Sequence, residues 1–186
     1  AERGISPALG EAPFGRVEKS GSGTLPVVLF PCLGCDGRGF DEFVARNAER
    51  YVMYAVTWPG MSDTALPDAD PSRDTPHFDY LIEAMAKFLK RERLERPVLV
   101  GHSAAGPYVV RFAAGFPELV SRVVSVDAVI TNRDTLGFDR RQRNAWAAKD
   151  FEESTRGFVG DSRHTIWESQ PGAFDRALAE FVRERN

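Results

Sequence analysis

The chain has 186 residues, with 24 Lys and Arg against 27 Asp and Glu and a formal charge of -3. That length predicts one domain over 1–186, large enough to bury a core without staples. The near-neutral charge argues against a nucleic-acid binder, no apolar run approaches the roughly 18 residues of a membrane span, and two cysteines in one CxxC are no disulfide framework.

The profile is that of an ordinary soluble domain. The sequence starts at Ala1 without a charged-then-apolar leader, which leaves its compartment open between cytoplasmic and secreted. Oligomeric state is equally open. Residues 1–13, rich in Gly, Pro and Ala, read as an irregular arm. Phe14 to Ser20 reads as a first edge strand, stopped by Gly21-Ser22-Gly23. The continuous apolar run Val27-Val28-Leu29-Phe30 has the pattern of a strand buried on both faces. Phe40 to Arg50 is predicted as a helix with Phe40, Phe43 and Val44 on one face. Tyr51 to Thr57 is strand-like and ends at Trp58-Pro59-Gly60.

Phe78 to Arg93 has helical spacing, with Leu81, Met85, Phe88 and Leu89 on one face. Val98-Leu99-Val100 is the next buried strand, Ala104 to Phe116 the next helix, and Arg122 to Val129 another strand. Asp139 to Thr155 is polar and helical in pattern. Phe158-Val159 is a candidate for a last short strand. A final helix enters at Pro171 and carries Phe174, Leu178, Phe181 and Val182. Strands alternating with helices predict an α/β fold: a mostly parallel central sheet with helices on both faces. In such sheets ligands bind beyond the carboxyl ends of the strands.

The stretch Val98-Leu99-Val100-Gly101-His102-Ser103-Ala104-Ala105-Gly106 places Ser103 where a strand turns sharply into a helix. That turn lifts a nucleophilic hydroxyl out of the sheet and demands small residues two positions either side. Gly101 meets the demand; Ala105 stands where Gly is usual, with Gly106 one place late. The alternative is that Ser103 is only a helix N-cap. His102, beside it, reads as a packing residue, because neighbouring side chains at a tight turn diverge.

With these residues in view, the sequence resembles the α/β-hydrolase superfamily. Leu25 to Gly34 looks like the family's strand into its oxyanion loop. Trp58-Pro59-Gly60-Met61-Ser62 looks like its D-x-P-G-x-G-x-S turn, and Pro97 to Gly106 like its nucleophile elbow. Phe116 to Val120 with Val123 to Asp127 resembles the run into its sixth strand. Asp161 to Pro171 resembles the catalytic-His segment.

The resemblance implies a serine esterase acting on a small carboxylic ester, with no metal and no cofactor. His164, the last of three His, follows the last strand and is the expected base; His77 falls in a Pro-rich loop and reads as structural or pocket-rim. The oxyanion donors would be the N–H groups of Leu33 and Ala104. The acid is the weakest assignment. Asp127 is the leading candidate, with Asp134, Asp139, Asp150, Asp161 or no acid at all as alternatives. Trp58, Met61, Phe78 and Val129 are candidates for the acyl pocket, and equally for ordinary packing.

His164 lies only 37 positions after Asp127. The family usually places a lid, a seventh strand and a helix there. The expectation is therefore a pared-down domain with lid and seventh strand reduced or absent, 131–156 being a remnant lid, or else a chain from which an internal segment is missing. Two rivals remain. One is a non-catalytic hydrolase-like module. The other is a thiol-disulfide oxidoreductase, since Cys32-Leu33-Gly34-Cys35 also sits between a strand and a helix. A CxxC alone is too few ligands for zinc.

Overall fold

The computed structural model describes residues 15–65, 76–127 and 171–183. The expected arm at 1–13, the helix at 139–155, the strand at Phe158-Val159 and the remnant lid at 131–156 lie outside the described residues.

Five strands form one sheet: β1 (Arg16–Ser20), β2 (Leu25–Phe30), β3 (Tyr51–Thr57), β4 (Val98–His102) and β5 (Arg122–Val126), in the order β1-β3-β2-β4-β5. Among the described strands β1 runs antiparallel to β3, and the other pairings are parallel. Parallel neighbours need crossover helices, and the chain supplies them in α1 (Asp41–Asn47), α2 (Pro76–Arg91) and α3 (Ala105–Gly115). A fourth helix, α4, spans Pro171–Arg183.

The central strands are largely apolar because both faces are covered. Val28, Phe30 and Leu99 join Met85, Phe88 and Leu89 of α2 and Tyr108, Val109 and Phe112 of α3. Val27, Leu29, Val98 and Val100 face the other way, onto Phe43 of α1 and Leu178 of α4. The two-residue alternation of a strand thus feeds two cores at once. α4 is fastened to α1 by the Phe43–Phe174 ring contact, with centroids 5.5 Å apart, and by Arg46 donating to Asp175 at 3.1 Å.

Several boundaries differ from the sequence reading. The helix expected from Phe40 is preceded by a 3-10 turn, Gly37–Phe40, and stops at Asn47. The buried Asn47 side chain donates to the Phe43 carbonyl at 3.0 Å, an alternative to the helical ladder. α2 begins at Pro76, so His77 is in a first helical turn rather than a loop. β5 ends at Val126, not Val129, because Asp127 adopts φ 46°.

Tyr108 couples the helices covering one face. Its hydroxyl donates to the Leu81 carbonyl at 2.7 Å, and burial pushes the phenol well above its ordinary 10.0. In the unfolded chain that phenol ionises near 10; in the fold it stays neutral. Its contribution is therefore complete below pH 10 and lost as pH rises beyond it. Tyr108→Phe is expected to cost about 1 kcal/mol at neutral pH and to flatten the alkaline fall in Tm above pH 10, read by thermal melts from pH 7 to 11.

Candidate active site

From β2 the chain moves outward to β3, and from β4 outward to β5 on the opposite side. The crevice between β2 and β4 is therefore the topological switch point, where open α/β sheets place their ligands. The segments leaving β2 and β4 at its carboxyl end are the Pro31–Gly37 loop and the turn at Ser103. Phe30 and Gly101 are paired across the two strands, and Cys32 and Ser103 each lie two residues further on.

Ser103 has φ 54°, the left-handed region that costs a non-glycine residue about 1–2 kcal/mol. Two bonds hold it there. Its N–H donates to the Val126 carbonyl at 2.9 Å, and its carbonyl accepts from Gly106 at 2.9 Å. The N-cap reading fails. The cap of α3 is Ala104, with φ -58° and no side-chain capping bond. The hydroxyl is not serving the helix, and the backbone that presents it is strained.

The need for a small residue two positions earlier is visible in the packing. A Cβ built on Gly101 would stand 2.5 Å from the Ala105 carbonyl oxygen and 2.8 Å from Val109 Cγ2. Strand and helix approach too closely there for any side chain. Ala105 itself is 1% exposed, so its methyl fits where glycine is usual. Gly101→Ala is expected to cost about 1–3 kcal/mol and lower Tm by several degrees, measured by calorimetry.

Asp127 follows β5 as Ser103 follows β4, since His102 and Val126 are paired in register. Adjacent strands lie about 4.8 Å apart, so the two residues leave the sheet side by side. Both adopt positive φ. Asp127 is exposed. His102 is 1% exposed, and strand alternation points it to the face opposite Gly101, as a packing residue would be.

The loop after β2 is anchored at both ends. The Trp58 indole N–H donates to the Pro31 carbonyl at 2.9 Å, and the Gly37 N–H donates to the buried Thr57 hydroxyl at 3.0 Å. Between these anchors Cys32 and Cys35 form a disulfide, their Cα atoms 5.2 Å apart. Cys35 N–H also donates to the Cys32 carbonyl at 3.1 Å. Leu33 is 68% exposed at the tip. Further along, Asp36 accepts from the Arg38 side chain and backbone and, at 3.4 Å, from the Ser62 hydroxyl. The Arg38 hydrogen bond leads the causes that hold the Asp36 carboxyl below its ordinary range.

The predicted site residues thus divide. Ser103, Ala104, Leu33 and Asp127 converge on one edge of the sheet. Trp58 is a core residue, packed on Phe30 and Tyr108 with centroids 5.4 and 4.9 Å away. Met61 is half-buried against the same core. The side chain of Phe78 lies outside the described residues, as do Val129 and His164. The anchoring role of Trp58 escaped the sequence reading; its nearness to the Pro59-Gly60 turn was the available signal. Among the described residues no group of His, Cys, Asp or Glu is arranged to hold a metal ion, and no helix is long and apolar enough to cross a membrane.

A model of the alpha/beta hydrolase family matches residues 27–185. An uncharacterised protein of Mycobacterium tuberculosis is 29% identical over 119 residues, 62% of this chain and 32% of that protein; one from Mycobacterium bovis matches to the same extent. The chain therefore spans about a third of the length of these curated relatives. Among solved structures, a marine microorganism esterase superposes with a TM-score of 0.59 at 18% identity, covering 77% of this chain and 51% of that one. Cfl2 from Burkholderia cenocepacia gives 0.57 at 22%, covering 92% and 56%. At such identities the likeness establishes the fold.

Proposed function

The chain belongs to the alpha/beta hydrolase family, and from that membership we propose that it is a serine hydrolase cleaving a small carboxylic ester through an acyl-enzyme. The observation that carries the reading is the backbone of Ser103: a strained nucleophile position at the switch point, with its hydroxyl released from capping.

In this reading the Ser103 Oγ attacks the ester carbonyl while His164 takes its proton. The carbonyl oxygen becomes an oxyanion, held by the N–H groups of Leu33 and Ala104. Ala104 is at the start of α3, where the helix dipole favours negative charge. The intermediate collapses, and His164 returns the proton to the leaving alcohol. Water, deprotonated by His164, then attacks the acyl group and regenerates Ser103. Asp127 is assigned to orient the imidazole and stabilise its charged form. Its place beside Ser103, one strand over, supports the assignment. No step calls for a metal or cofactor.

The test is hydrolysis of p-nitrophenyl esters from acetate to octanoate. Saturable turnover, fastest on short acyl chains, is expected. A well-folded protein with no turnover on any of them would favour a non-catalytic binding module.

A further inference from the structure

We propose that the Cys32–Cys35 disulfide is a reductant-responsive modification site that sets the shape of the oxyanion loop, so that a dithiol reductant lowers hydrolysis without unfolding the protein. The proposal rests on the reading of Leu33 as an oxyanion donor.

Three observations carry it. The bridge closes a ring of only four residues, and Leu33 lies inside that ring. A short ring constrains the unfolded chain far less than a long one, so the consequences of opening it are local. Hydrogen bonds outside the ring hold both ends of the loop. Trp58 holds Pro31 on one side; on the other, Thr57 holds Gly37 and the Asp36 carboxylate is held by Arg38 and Ser62, so the freed segment runs from Cys32 to Cys35. Finally, the bridge is reachable. Leu33 and Gly34 are exposed, and both cysteines are only partly buried.

The chemistry is ordinary thiol–disulfide exchange. A thiolate of the dithiol attacks one sulfur of the bridge, and the other sulfur leaves as a thiolate and takes a proton. The second thiol of the reductant then resolves the mixed disulfide. Two electrons and two protons pass to Cys32 and Cys35, and the reductant becomes a disulfide. With the covalent ring open, the turn is closed only by the Cys35 N–H bond to the Cys32 carbonyl, and the Leu33 N–H is held less firmly in its direction. Removing an oxyanion donor outright costs about 10²–10³ in kcat, so loosening one is expected to cost at least about tenfold.

The experiment treats the folded chain with dithiothreitol and counts thiols by maleimide-polyethylene glycol gel shift. Hydrolysis of p-nitrophenyl acetate, Tm and amide hydrogen exchange are followed in parallel. Two new thiols, faster exchange confined to the peptide carrying 32–35, at least tenfold slower hydrolysis and a Tm changed by no more than a few degrees are expected. Reoxidation should restore the rate. Cys32→Ser with Cys35→Ser should show the slow rate from the start and ignore the reductant.

Two new thiols with unchanged hydrolysis would overturn the proposal, as would a bridge that resists millimolar dithiothreitol in the folded protein. If the oxidised chain hydrolyses no ester, the hydrolase reading fails and the coupling to catalysis fails with it. Exchange at 32–35 then decides the loop half alone: faster supports it, unchanged refutes it.

Discussion

Ser103→Ala is expected to lower kcat by about 10⁴–10⁶ while leaving Tm within about 2 °C of the parent. The magnitude follows from triads that act as a unit, where loss of the nucleophile costs nearly as much as loss of all three members. The small stability change follows from the structure. The serine hydroxyl caps nothing on α3, and the two bonds that fix the turn are made by its backbone. Alanine retains both. His164→Ala should fall in the same range, and combining the two should add little to either. Steady-state kinetics on p-nitrophenyl acetate and a calorimetric scan check all three. A Ser103→Ala protein with a tenth of parental kcat would remove Ser103 from the chemistry.

Trp58→Ala is expected to produce the largest loss of stability, about 3–5 kcal/mol. It deletes a ring packed against Phe30 and Tyr108 and cuts the 2.9 Å bond to the Pro31 carbonyl. Against a typical total of about 5–15 kcal/mol, that is a large share of the fold. Trp58→Phe separates the two effects. It keeps most of the ring contact and leaves a buried carbonyl without its donor, at a cost of about 1–3 kcal/mol. Because Pro31 begins the segment that carries Leu33, kcat should fall several-fold in Trp58→Phe with KM nearly unchanged. Urea titration gives the stability and initial rates give the split. Parental kcat in Trp58→Phe would show that this anchor has no part in placing the donor.

Much of the fold was legible because burial on both faces writes itself into the chain. Val27 to Phe30 and Val98 to Val100 are unbroken apolar runs, and they became the central strands β2 and β4. The last helix was marked by Pro171 and its Phe174–Leu178–Phe181 spacing. Strand order was not legible, because it depends on which way each crossover turns rather than on any local residue. Nor was the antiparallel direction of β1. The helix from Phe40 was overextended because Asn47 bonds back to Phe43, a competition that periodicity does not register.

The sharp turn at Ser103 was legible because a buried strand, small residues and a helix follow one another there, and Gly101 is dictated by contact with the Ala105 backbone. The bridge was not read as a bridge. A CxxC reads as a redox motif without saying whether it is oxidised, and the turn after β2 is what brings the sulfurs together. The role of Trp58 was hidden for a related reason. An aromatic at the end of a strand reads equally as pocket wall and core, and what decides is the partner of its N–H. The proposal of Asp127 as the acid rests on its neighbourhood with Ser103 across β4 and β5. His164 rests on its position in the sequence.

The most direct measurement is labelling of the folded chain with a fluorophosphonate probe, followed by tandem mass spectrometry of the modified peptide. One adduct per chain is predicted, on Ser103, absent in Ser103→Ala. A folded chain that takes no label, or takes it at another residue, would contradict the assignment of Ser103 as the nucleophile.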